Sequence, residues 1–129
     1  MNLQIGDKLR LPAGFAVSHY GVYLGTVRGY RYGVVHNDKN LGRVAIVELD
    51  DFLAGRVPVV ESRVAPDWRV QQVVVRRALG LIGRKYELID FNCEHAATQA
   101  QTGIARSAQV QWFVLLAFIA LGLLATARA

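Results

Sequence analysis

The sequence predicts an α+β domain followed by a separate apolar helix, and three observations carry that prediction. Residues 8–62 hold short runs rich in β formers, separated by Gly, Pro and Asn-Asp turn signals. Residues 66–101 carry two helical patterns, and residues 112–127 contain no charged side chain. Strands first and helices afterwards describe a small antiparallel meander packed against helices. At 129 residues the chain is long enough for one modest core. The expected division is a catalytic domain over 1–108 and a hydrophobic helix over 109–129.

Gly6-Asp7 reads as a turn before a strand at 8–11 that Pro12 ends. Residues 13–18 form a connection. A second strand covers 19–24, a Gly- and Arg-containing hairpin loop 25–31, and a returning strand 32–36. Residues 37–40 make the next turn and 43–49 a third strand of the meander. Asp50 is placed to cap one helical turn at 51–54, stopped by Gly55. Pro58 puts the strand at 57–62 on an edge. Pro66-Asp67 starts a helix whose Val70, Val73, Val74, Ala78 and Leu81 share one face, closed by Gly83. An extended run at 86–91 leads into a second helix from Cys93 to about residue 101, broken by Gly103.

The net charge of +5 comes mostly from scattered arginines, which suits an anionic lipid surface or an ordinary solvated face. Zinc-finger spacing, a basic helix and an aromatic RNA-binding strand motif are all missing from the sequence, so nucleic acid is not an expected partner. The first seven residues have neither a basic region nor an apolar core, unlike a secretory signal peptide. The tail from Trp112 to Ala127 is apolar all round. A core helix in so small a domain should keep a polar face, so a membrane anchor is favoured over a buried helix. Trp112 and Arg128 would then lie at the two interfaces. With so late an anchor the catalytic domain is expected to face the cytosol.

Cys93 is the only cysteine, so within one chain it is neither half of a disulfide nor part of a multi-cysteine metal site. Asn92 is a good N-cap residue and would place Cys93 in the first helical turn. There the backbone N–H groups and the helix dipole favour a thiolate and can hold an oxyanion. The local pattern leaves a reactive thiol and an inert packed one equally open. His95, two residues on, points away from Cys93 and is expected to cap or pack. His19 and His36 bracket the hairpin and would approach each other if its strands pair. One imidazole could then face the thiol while the other fixes its tautomer, a Cys–His–polar triad.

His19-Tyr20-Gly21-Val22-Tyr23-Leu24-Gly25, Val34-Val35-His36 and Asn92-Cys93-Glu94-His95 resemble the lecithin retinol acyltransferase-like family, which includes small phospholipase and acyltransferase enzymes. The likeness extends to Gly6-Asp7, to residues 103–110 and to the apolar tail. The resemblance implies a circularly permuted papain-like fold, with Cys93 as acyl-accepting nucleophile, His19 as its base and His36 orienting His19. Asn92 would support the helix start and oxyanion. The implied acyl donor is a phospholipid, reached at a membrane surface through the C-terminal helix, and the acyl group passes to water, an alcohol or an amine. Neither a metal nor any other cofactor is implied. Tyr20 stands where the family usually has Trp, and Ala96 where it usually has Phe. The hairpin is longer than usual, making Tyr20, Arg28 and Arg31 candidates for a substrate-facing loop. The alternatives are an amidase of the same superfamily and a silent membrane-tethered module.

Overall fold

A computed structural model describes residues 2–12, 18–87, 92–104 and 107–128. The expected connection at 13–17, the last residues of the extended run at 88–91, part of the link at 105–106 and the Arg128 side chain lie outside them. The elements run β1 Lys8–Pro12, β2 Ser18–Val27, β3 Tyr30–Asp38, β4 Arg43–Glu48, α1 Leu49–Leu53, β5 Val59–Ser62, α2 Trp68–Leu81, α3 Cys93–Thr102 and α4 Ala108–Arg128. The five strands form one antiparallel sheet in the order β4-β3-β2-β1-β5, so the first four make the expected meander and β5 is an edge.

The β2–β3 hairpin is longer and tighter than its sequence suggests. Its loop is only Arg28-Gly29, with φ of 47° and 84° at the two positions. Two successive positive φ values give the primed turn that matches strand twist, so pairing continues to the tip. Gly25, expected in the loop, lies inside β2 at φ 66° between two register shifts, where a bulge uses its freedom. The short helix also departs from expectation. It starts at Leu49 with Glu48 in the cap position, and no side chain caps it. The Glu48 carboxylate instead accepts from the Arg31 and Tyr32 backbone N–H groups at 2.9 and 3.0 Å.

Strand alternation divides the core in two. Tyr20, Val22, Leu24, Val35 and Val44 point toward α2 and α3, meeting Val74, Val75, Ala78, Leu81, Cys93, Ala96, Ala97 and Ala100. Leu9, Leu11 and Val34 point the other way, under Phe52 and Leu53 of α1. On α2 the buried face is turned from the expected one: Val75 is buried and Val70 is exposed, because the contact row runs through 74, 75, 78 and 81. The helix starts where expected, and Asp67 caps it, accepting from the Arg69 N–H at 2.7 Å. Gln101 fastens the end of α3 to the sheet by donating to the Gly6 and Ser62 carbonyls at 3.0 and 3.1 Å.

The apolar helix α4 stands apart. It begins at Ala108, one residue before the expected boundary at 109, and every residue from 111 to 127 is exposed. Ala108–Ala127 is 20 residues. At 1.5 Å per residue that is about 30 Å, long and apolar enough to cross a bilayer.

Gly21 lets the α1 face close. A Cβ there would lie 2.7 Å from Val34 Cγ1 and 2.9 Å from Phe52 Cε2. Gly21→Ala is therefore expected to push Phe52 off the sheet and destabilise the domain by about 1–3 kcal/mol, read as a lower urea midpoint with an unchanged slope.

Candidate active site

Asn92 sets the geometry of the cysteine. Its backbone is extended, and its Oδ1 accepts from the Glu94 and His95 N–H groups at 3.0 and 3.1 Å. His95 completes the box by accepting from the Asn92 N–H through Nδ1 at 3.0 Å. His95 is thus a capping residue, as its spacing from Cys93 suggested. Cys93 is the first residue of α3 and is 9% exposed. The cap has a second effect: two of the first-turn N–H groups expected to serve an oxyanion are already taken by Asn92. The Cys93 N–H is outside that box.

His19 and His36 are brought together. Gly21 pairs with His36 across β2–β3, which sets His19 beside the same ring. His19 Nε2 and His36 Nδ1 are 2.9 Å apart, with ring centroids at 5.0 Å and planes at 83°. Phe52 packs on both rings, at 5.2 Å from His19 and 5.6 Å from His36. No sequence signal marked Phe52, because only the tertiary fold carries α1 over this end of the sheet. His36 Nε2 is buried and has no hydrogen-bond partner among the described residues.

The sulfur and the imidazoles both lie at the start of β2. His19 is the second residue of the strand and Ser18 the first. Cys93 Sγ lies 3.8 Å from the Ser18 carbonyl oxygen, to which the thiol donates. Among the described residues its hydrogen-bond partner is that carbonyl and not an imidazole nitrogen, because alternation sends His19 toward Phe52 and Tyr20 toward α3. Nε2 of His19 is engaged by His36, so its other nitrogen is Nδ1, the ring nitrogen closest to the backbone on which the sulfur rests.

Burial governs the protonation states. Desolvation lowers the His19 pKa to about 4, with help from His36 and Arg56 against an opposing pull from Asp38. His36 is also lowered, again by burial first, with Asp38 opposing. The Cys93 thiol is raised. Burial outweighs the backbone N–H groups of Tyr20, Glu94 and Cys93 that favour the thiolate, and the Glu94 charge adds to burial. The expectation of a sulfur ionised at the helix tip is thereby corrected. The site rests as a neutral thiol beside two neutral imidazoles, because the desolvation cost exceeds what the helix start returns.

The expected substrate-loop residues are not brought to the pair. Tyr20 is 4% exposed, packed in the α3 face with the Lys8 ammonium 4.9 Å from its ring centroid. Arg28 is at the hairpin tip, eight residues before His36, and Arg31 is on the returning strand, five residues before it. At 3.3 Å per residue those are roughly 26 and 17 Å of strand. Among the described residues, no cluster of three or more His, Cys, Asp or Glu side chains is arranged to hold a metal.

With this arrangement in view, the family model for lecithin retinol acyltransferase matches residues 1–106. The chain belongs to the lecithin retinol acyltransferase family. No curated protein matches it. Family membership carries the expectation of acyl transfer or thiol hydrolysis, and the α+β sheet-and-helix architecture agrees with the lecithin retinol acyltransferase fold.

The histidine pair makes stability acid-sensitive. His19 binds its proton near pH 6.5 when unfolded and near 4 when folded. Its contribution is complete above 6.5 and is lost as pH falls toward 4, by about 3 kcal/mol. Urea unfolding at pH 7 and at pH 4.5 is expected to show this loss, and His19→Gln to reduce it. Asn92→Ala should cost ~1 kcal/mol through the lost cap, seen in the same measurement at pH 7.

Proposed function

We propose that the protein is a thiol-dependent phospholipid acyltransferase or phospholipase A, with Cys93 as nucleophile, His19 as general base and His36 as the residue that orients His19. The observation that carries this reading is the 2.9 Å imidazole pair whose remaining His19 nitrogen is nearest the peptide touching the only thiol in the chain. It is supported by membership of an acyltransferase family.

In the first step the Cys93 sulfur attacks the ester carbonyl carbon, and its proton passes to His19 Nδ1 as the S–C bond forms. Attack by a neutral thiol with concerted proton loss is the route open to a site that disfavours free thiolate. His19 reaches the sulfur as the complex tightens, since catalytic hydrogen bonds are often long before substrate binds. For Nδ1 to accept, His19 must donate through Nε2 to His36 Nδ1, which places the proton of His36 on Nε2. Among the described residues that buried donor has no partner, a local cost of about 1–3 kcal/mol that holds the tautomer only while the pair stays closed. The carbonyl oxygen becomes negative and is met by the Cys93 N–H. Collapse breaks the ester C–O bond, and the His19 proton goes to the leaving glycerol oxygen. Water, an alcohol or an amine then attacks the thioester, giving its proton to His19, and the thiol leaves with that proton restored.

The apolar helix supports a bilayer substrate. α4 is exposed along 111–127 and starts beside the thiol, so insertion would hold the site at the lipid surface with the domain in the cytosol.

Incubation with phosphatidylcholine vesicles is expected to add one acyl chain to Cys93, seen by mass spectrometry, and Cys93→Ser and His19→Ala to abolish it. His36→Ala should be milder, since His36 does not accept the thiol proton. Removal of residues from 112 onward should lower turnover on vesicles far more than on a soluble short-chain ester. Release of amine from an amide substrate, with no acyl adduct from phospholipid, would overturn the reading.

A further inference from the structure

Glu94, next to the thiol, carries a buried carboxylate that the chemistry above does not use. It is 3% exposed. Among the described residues, every hydrogen bond it receives through its carboxylate comes from the start of α4: from the Ala108 N–H at 2.6 Å, the Gln109 N–H at 3.4 Å, the Gln109 Nε2 at 3.1 Å and the Ser107 hydroxyl at 3.3 Å. A carboxylate at a helix N-terminus is favoured by the free N–H groups and by the dipole. This one comes from a different helix, so it joins α4 to α3 at the residue after Cys93.

Gln109 extends the connection. Its Nε2 donates to Glu94 while its Oε1 accepts from the Ser18 N–H at 3.0 Å. The carbonyl of that same Ser18 is the group against which Cys93 Sγ lies at 3.8 Å. A side-chain amide is suited to this place because one end must donate to a carboxylate and the other must accept from a peptide. α4 is otherwise exposed, so its first turn is where the helix and the domain are joined.

We infer that Gln109, on the first turn of the apolar helix, is a positioning residue for the thiol site, holding the Ser18 peptide against Cys93 by bridging it to the Glu94 carboxylate. The inference rests on Cys93 being the reacting group, as proposed above. It makes α4 more than a tether, since its first turn fixes the strand start that carries His19. The titratable groups around the sulfur are Glu94 and, from the sheet and the segment before α3, Tyr20 and Tyr86.

The test uses the full chain in detergent micelles and reads iodoacetamide alkylation of Cys93 against pH, which is unambiguous in a chain with one cysteine. Gln109→Ala frees Ser18, draws the Tyr20 N–H away from the sulfur, and should slow alkylation at pH 7 about tenfold by moving its midpoint upward by about one pH unit. Gln109→Glu keeps the acceptor for Ser18 but sets two carboxylates face to face, and should do the same. Glu94→Gln with Gln109→Glu exchanges the two groups, rebuilds the bridge at unchanged net charge, and should restore the midpoint to within a few tenths of a pH unit. On a soluble short-chain ester the single variants should lower kcat with KM little changed.

An alkylation profile identical to wild type in both single variants would overturn the inference. So would a double variant that unfolds at the wild-type temperature yet keeps the displaced midpoint. Should Gln109→Glu fail to fold, Gln109→Ala decides alone. A wild-type chain that alkylates normally but takes no acyl group from phospholipid would sink the proposed function, and the alkylation comparison would still decide the role of Gln109.

Discussion

Two neutral imidazoles sharing one hydrogen bond under a phenyl ring are the constraint around which this end of the molecule is arranged. Burial disfavours a charge on either ring, so the pair persists by staying neutral. Gly21 is small because a larger residue would hold Phe52 away, and α1 follows β4 directly because Phe52 must reach back over β3. The hairpin twist, the bulge at Gly25 and the two-residue turn together set the register that brings residue 19 beside residue 36.

The cysteine is held by a different device, at the start of α3. Asn92 and His95 close a capping box that makes Cys93 the first helical residue, and the alanines that follow let α3 lie close on β2 and β3. A capping box stabilises the helix start by occupying its donors, which leaves fewer of them for a developing oxyanion. The site therefore draws its activation less from a preformed thiolate than from a base poised at the adjoining peptide. Such a thiol resists stray oxidation and alkylation, since reactivity follows the thiolate fraction.

Helix α4 joins these two halves at their common end. Its first turn bonds to the residue after the cysteine and to the residue before the first histidine. An exposed apolar helix fixed at one turn is a lever, and what it orients is decided by where that turn is held. Here it is held at the seam between strand β2 and helix α3.

The sequence by itself determined the order of strands and helices, the cap at Asn92, the helix start at Pro66-Asp67, the edge position of β5 and the apolar tail, because each follows from local periodicity, capping chemistry or composition. It also placed the two histidines together, since hairpin pairing is a near-neighbour consequence of turn residues. The tertiary structure decided what local rules do not reach. Gly25 became a bulge and not a loop residue, and α2 turned its face from Val70 to Val75. Tyr20 entered the core, and Arg28 and Arg31 were carried to the far tip of the ribbon. The protonation of Cys93 was decided the same way: a helix start favours the thiolate in isolation, but how dry the sulfur is depends on what the whole chain packs around it. The partners of Glu94 and Gln109 lie 13 to 91 residues away in sequence, and no window along the chain contains that information.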